Sequence, residues 1–284
     1  MADTPVVLGL VLLAALLHAV WNALIKASDD PWLTTLVVFV SGSVACALGL
    51  PFVDAPARES WGYLAAGALL HNVYVTFLVL SYRFGDLSHV YPIARGTGPL
   101  LVAALSARVV GEPLSQMEVA GTALISIGVL SLAVDRSLGT VSGRRAAFFA
   151  LGTGVWIAGY TLVDAMGIRR AGDPGPLSYV LWLQALEAVP FVVVTVILRR
   201  RDLPAFVRRP AARRGVAGGL MATLGYSMVL WAYSLGAIAP IAALRETGTI
   251  LAALIGTLVL GEPFGRRRVF AAGVVALGVV VLNV

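Results

Sequence analysis

Cysteine and charge are what this sequence has least of, and each shortage excludes a class of protein. Cys46 is the only cysteine among 284 residues, so no disulfide forms within the chain and no Cys-pair metal or redox motif exists. Charged residues make up 13% of the chain, about half the share of a soluble domain, while hydrophobic residues reach 59%. The three histidines have no spacing that suits a metal, and no Gly-x-x-x-x-Gly-Lys-[Ser/Thr] loop is present to cradle a nucleotide. Metal catalysis and ATP-driven work both lose their usual carriers, and no cofactor is expected. The net charge of +6 would suit nucleic acid on a soluble surface. Here the arginines sit in short clusters between apolar runs, where such residues set membrane orientation instead.

What fills the chain is a succession of apolar runs about as long as a bilayer is thick. Helical spans are predicted over 4–26, 32–53, 60–82, 87–109, 115–134, 146–167, 176–198, 213–234, 238–260 and 267–284. The runs are too long, and alternate too little, to be barrel strands. The first run lacks a basic leader and a small-residue cleavage site, so it reads as a spanning helix. Gly215 to Leu244 carries no Asp, Glu, Lys or Arg over 30 residues, and Gly236 with Pro240 divides it into two helices. The fold class is therefore an all-α polytopic membrane protein with ten transmembrane helices.

Fifteen Lys and Arg fall in loops on one side, four on the other, and Arg95 and Arg245 lie within spans. The richer, odd-numbered loops are expected to be cytoplasmic, which places both termini outside. The setting that fits is the bacterial cytoplasmic (inner) membrane.

The chain also repeats itself. Arg95-Gly96-Thr97-Gly98 returns as Arg245-Glu246-Thr247-Gly248, and Gly111-Glu112-Pro113 returns as Gly261-Glu262-Pro263, both 150 residues later. A weaker pairing sets His18–Asn22 beside Trp156–Tyr160. Five spans per half make the second half enter the bilayer from the opposite face, giving inverted repeats over 1–137 and 138–284 around a central cavity.

Ionisable and polar side chains within spans are costly, and function is the usual reason they persist. Arg95 and Arg245 can meet an anionic group; a structural ion pair is the competing reading, and Glu246, adjacent to Arg245 on its helix, is expected to point elsewhere. His18, Trp21, Asn22 and Lys26 share one face of span 1. Thr153, Trp156, Tyr160 and Asp164 share one face of span 6, and a packing seam explains either set equally well. His71, Asn72 and Tyr74 lie in span 3, Tyr226 in span 8. His18, Asp164 and Glu187 are the candidates for coupling to protons. Trp21, Asn22, His71, Tyr74, Arg95, Trp156, Tyr160, Tyr226 and Arg245 are the candidate substrate contacts. Tyr233 reads as interfacial, Glu112 and Glu262 as markers of helix ends, and Gly215 with Gly219 as a packing contact.

Ten spans in a five-plus-five order, with Gly-Glu-Pro closing the fourth and ninth, resemble the drug/metabolite transporter superfamily and its EamA-type repeats. Within it the chain looks most like bacterial amino-acid exporters of the YddG type. The resemblance implies a secondary transporter, not an enzyme, that exports small polar metabolites, amino acids first, by alternating access. Other cargoes fit the same frame: a drug cation, a nucleotide precursor or a lipid carrier. The expected partners are a small-molecule substrate and the lipid bilayer, with no nucleic acid; the oligomeric state is left open.

Overall fold

A computed structural model describes residues 4–26, 28–84, 87–133, 140–173, 175–251, 254 and 265–283. Everything regular in them is helical. The helices are α1 (Thr4–Lys26), α2 (Pro31–Gly49), α3 (Arg58–Phe84), α4 (Leu87–Val109), α5 (Gln116–Ser131) and α6 (Val141–Ile168). There follow α7 (Gly175–Arg199), the short α8 (Leu203–Val207), α9 (Pro210–Leu235), α10 (Ile238–Arg245) and α11 (Arg266–Leu282). Among the described residues four helical segments are long and apolar enough to cross a membrane: Trp32–Phe52, Val141–Ile168, Gly175–Arg199 and Pro210–Leu235. The division between Leu235 and Ile238 falls where Gly236 predicts it. The second Gly-Glu-Pro copy, with Glu262, lies outside the described residues.

Local chemistry fixes the helix starts. Asp30 caps α2 by accepting from Leu33 N at 3.1 Å, with Pro31 preset for the first turn. Ser115 and Glu118 form a reciprocal capping box on α5, and Thr140 caps α6 through Gly143 N at 3.0 Å. Asp30 also takes two bonds from Arg199 at the far end of α7, at 3.1 and 2.8 Å. Burial raises the Asp30 carboxyl, but the Arg199 and Leu33 bonds outweigh it and hold the group below its ordinary value. A depressed folded value means this stabilisation is complete above the unfolded pKa and is lost as pH falls through the folded one, from about pH 4 downward. Asp30→Asn should therefore cost about 1 kcal/mol at neutral pH and flatten the acid limb of a thermal-stability profile.

Between helices, glycine sets the approach. A Cβ at Gly278 on α11 would lie 2.9 Å from both Gly121 O and Ile125 N, and one at Gly128 would lie 3.1 Å from Ala271 O and Val275 N. The two backbones touch because neither carries a side chain there. Gly278→Leu should separate α5 from α11 and cost about 1–3 kcal/mol, read as a drop in the detergent-melting midpoint. The Gly215/Gly219 pair is a packing contact, as its spacing predicts: on α9 it faces Val37 and Val38 of α2.

Helices of the first half pack mainly on helices of the second. α3 lies against α6 and α7, α1 and α2 against α9, α4 against α6 and α10, and α5 against α11. Tyr233 corrects its sequence reading. It is fully buried rather than interfacial, because α9 is enclosed where its carbonyl accepts from Arg169 Nε at 2.9 Å.

Candidate functional site

Helices α1, α3, α4, α6, α7, α9 and α10 bring polar side chains into one buried array with two ends of opposite charge. The first end is built on α4 and α10. Pro92 and Pro99 lie within α4, and α10 ends at Arg245, with a turn at Glu246 before helix resumes at 247. The Glu246 carboxylate lies against α4, where Arg95 Nε approaches its Oε2 at 2.6 Å. Arg245 Nε is 3.7 Å from the other oxygen, Oε1. All three side chains are buried.

Glu246 was expected to point away and was left out of the candidate set. The structure corrects this: Glu246 keeps helical dihedrals (φ −71°, ψ −12°), and its carboxylate still comes within reach of the long Arg245 side chain while facing Arg95. Its signal in the sequence was present, as the one acid within an apolar run, standing where the first repeat has Gly96.

Two guanidiniums share one carboxylate, so the formal balance at this end is +1. The pairing is also incomplete. Both Nε atoms face the Glu246 carboxylate, but Arg95 Nη2 is buried without a hydrogen-bond partner. Buried donors of this kind cost stability unless something accepts from them. Beyond Arg95, its guanidinium lies 5.9 Å over the Tyr91 ring, and the Tyr91 hydroxyl is 3.0 Å from His18 Nε2. Trp21 meets the His18 ring edge-on at 5.1 Å.

The second end is acidic. Asp164, on α6, is wholly buried, and its Oδ2 accepts from Tyr226 OH at 2.6 Å and lies 2.9 Å from His71 Nε2. Its other oxygen is pressed on Gly67 of α3, where any Cβ would overlap it. Glu187 on α7 stands on the opposite edge of the imidazole, Oε2 3.9 Å from His71 Nδ1. Tyr160 connects the two ends. Its ring stacks on His71 with centroids 4.1 Å apart, and its hydroxyl is 3.4 Å from Arg245 Nη2. Tyr74 sits edge-on to Tyr160 at 5.5 Å.

Of the candidate contacts, His71, Tyr74, Arg95, Tyr160, Tyr226 and Arg245 thus come together with Asp164 and Glu187, while Trp21 and His18 adjoin through Tyr91. Trp156 is placed differently, half-buried with its ring 5.8 Å from Phe77. The side chains of Asn22 and Lys26 lie outside the described residues. Asn72 is taken up structurally, its amide donating to Ala68 O at 2.7 Å and Glu187 O at 2.9 Å.

A second polar junction was missed altogether. Glu112, expected only to mark a helix end, forms an ion pair with Arg169, and its Oε2 accepts from Ile238 N, the first turn of α10, at 3.1 Å. Arg169 Nη2 donates in turn to Gly236 O at 2.7 Å. Gly111, at φ +76°, supplies the left-handed step that turns the chain toward this clasp. Glu112→Ala removes the acceptor for both Arg169 and an otherwise orphaned helix N–H. The expected loss is about 1–3 kcal/mol, read as a lower melting midpoint that Glu112→Gln only partly restores.

Residues 6–134 match the family model described as the EamA-like transporter family. A probable sulfite/organosulfonate exporter, TauE, of Cupriavidus necator is 30% identical over 184 residues, covering 61% of this chain and 70% of that protein. A crystal structure of another protein superposes with a TM-score of 0.76 over 99% of this chain and 98% of its own, at 17% identity. At that identity the likeness is one of fold.

Proposed function

The chain belongs to the EamA-like transporter family of the drug/metabolite transporter superfamily, and we propose that it exports small zwitterionic or anionic metabolites across the bacterial inner membrane. It is a multi-pass membrane transporter; cargo, direction and mechanism are our reading. The observation that carries it is the buried pair of guanidiniums with a single carboxylate between them and one donor, Arg95 Nη2, left unpartnered. Such a site gains from an incoming carboxylate or sulfonate and penalises a cation. Amino acids fit first. The aromatic rings of Trp21, Tyr74 and Tyr160 suit their apolar parts, and Trp156 and Asn22 extend the set.

Sulfonates share the acid group, and the likeness to a probable sulfite/organosulfonate exporter supports that second cargo. A drug cation is disfavoured by the same two arginines.

Alternating access follows from two inverted five-helix units, 1–137 and 138–284, rocking around the array. The packing supports this reading. If a pseudo-two-fold axis exchanges the halves, α3 on α6 has α1 on α9 as its counterpart, and α4 on α6 has α1 on α10. Both members of each pair are present. Odd-numbered loops would then face the cytoplasm by their arginine excess.

Flux of labelled L-leucine and taurine into proteoliposomes tests the reading. Saturable uptake that each competes for, and that tetraethylammonium leaves alone, is expected. Uptake of the organic cation with neither acid transported would overturn it.

A further inference from the structure

The connection between α7 and α9 carries an inference that does not depend on the cargo. From Arg199 to Arg214 it holds seven arginines and one acid, Asp202. The fold brings Asp29 and Asp30 beside it, and seven arginines against three aspartates leave a net +4. The six arginines beyond Arg199 are all exposed.

Setting orientation needs only a number of such charges near a span, in any arrangement. Here they are held in one. α8 is seated by Phe206, buried among Leu33, Ala211 and Ala212, and Arg209 N closes its end on Phe206 O at 2.9 Å. Opposite, Arg199 holds Asp30 through two bonds. Trp32 Nε1 donates to Thr195 Oγ1 at 3.1 Å, which fastens the start of α2 to the end of α7. Between these walls is a groove with about 410 Å³ of open space, whose lining includes Asp29, Asp30, Phe206, Arg209 and Arg214.

Depth in the membrane gives the groove its meaning. The segments on either side, Gly175–Arg199 and Pro210–Leu235, are both long and apolar enough to cross. Exposed apolar side chains run along α7 to Ile197 and Leu198, and begin again on α9 at Val216 and Leu220. The arginines occupy the interval, where hydrocarbon gives way to headgroups and lipid phosphates lie. Arg209 is the N-cap residue of α9 and supplies no side-chain cap, so the positive end of that helix adds to the guanidiniums on the rim. The charge of Asp30 is already matched by Arg199. Asp29, exposed at the edge, leaves Arg209 and Arg214 with one positive charge in excess.

We propose that this groove binds the headgroup of an anionic phospholipid, with Arg209 and Arg214 on its phosphate. Val207 and Val216, both exposed, offer apolar surface to the acyl chains. A zwitterionic headgroup brings a cation of its own, which the arginines repel, and a free phosphate has no chains to bury. The start of α2 walls one side and α8 with α9 the other, so a bound lipid joins the first half of the chain to the second and stabilises both.

Thermal melts of the full-length protein in dodecyl maltoside test this, with phosphatidylglycerol, phosphatidylcholine or inorganic phosphate added and native mass spectrometry counting bound lipid. Phosphatidylglycerol should bind and raise the melting midpoint by about 2–4 °C. The other two should raise it by less than half as much. Arg209→Gln with Arg214→Gln should weaken phosphatidylglycerol roughly thirtyfold, each arginine at a membrane surface contributing about a factor of five. Arg58→Gln with Arg108→Gln removes the same charge from the opposite end of the bundle and should bind as wild type does.

Unchanged phosphatidylglycerol binding in the Arg209/Arg214 double variant would overturn the proposal. So would phosphatidylcholine binding as tightly, or inorganic phosphate giving the same shift at the same concentration. If that variant does not fold, a photoactivatable phosphatidylglycerol on the wild-type protein decides. Cross-links within 28–34 or 203–214 support the site; cross-links found only elsewhere sink it.

Discussion

Glu246→Ala is expected to leave almost no monodisperse protein in mild detergent. The substitution strips the one carboxylate from between Arg95 and Arg245, which face it at 2.6 and 3.7 Å and are both buried. Breaking a buried pair by removing one partner costs about 3–5 kcal/mol, because the remaining charge is left uncompensated. Here two such charges remain, and they repel. The loss falls within the whole stability of an ordinary domain, about 5–15 kcal/mol. Size-exclusion profiles and thermal melts of wild type, Glu246→Ala and Glu246→Gln check it, with the glutamine variant intermediate. A melting midpoint for Glu246→Ala equal to wild type would show that a counter-charge other than Glu246 balances the arginines.

Arg245→Ala is expected to behave in the opposite way, folding well and transporting poorly. Removing Arg245 leaves one guanidinium for one carboxylate, so the Arg95–Glu246 pair becomes neutral and the fold retains its counter-charge. The donors proposed to receive the cargo acid group are halved, and the remaining pair satisfies itself. Loss of a charge-assisted bond to a desolvated acid group is worth about 2–3 kcal/mol, or roughly a hundredfold in transport efficiency. Initial rates of leucine uptake over a concentration series, with protein orientation and amount matched, check it. Arg245→Lys should recover little, since an ammonium presents a point charge where the fork of a guanidinium spans two acceptors. Uptake by Arg245→Ala within a few-fold of wild type would remove Arg245 from the site.

The contrast between the two variants follows from one feature the sequence concealed. Arg95 and Arg245 were legible because they are charged residues in apolar runs and lie 150 residues apart in matching motifs. Glu246 stood next to one of them and was set aside, because neighbours in a continuous helix diverge by about 100°. Whether two long neighbouring side chains nevertheless share a partner is a tertiary matter. It depends on α4 passing alongside α10 and on an ion pair that reads as nothing in a one-dimensional pattern.

Other parts were legible for simpler reasons. The limits of α4 match the predicted 87–109, since a Gly-Glu-Pro stop follows it and no long polar segment blurs its start. The shared face of Tyr160 and Asp164 followed from their spacing of four. Trp156, four residues earlier, shares that stripe yet packs on Phe77, as a helix face is wider than the site it serves. The Glu112–Arg169 clasp was invisible because its partners come from segments 57 residues apart, and no periodicity pairs them. Glu187 was found as a mid-helix acid, and only the fold shows that it faces His71.

The account turns on a site with opposed charges that recognises both ends of its cargo. Uptake of labelled leucine in proteoliposomes, competed in parallel by 4-methylpentanoate and isopentylamine, measures this directly. Each competitor keeps one end of leucine and lacks the other. The account predicts that unlabelled leucine competes at least tenfold better than either fragment, since each forfeits one charged contact. Equal competition by isopentylamine, with none from 4-methylpentanoate, would contradict it, because a site that needs only the amine has no use for its buried arginines.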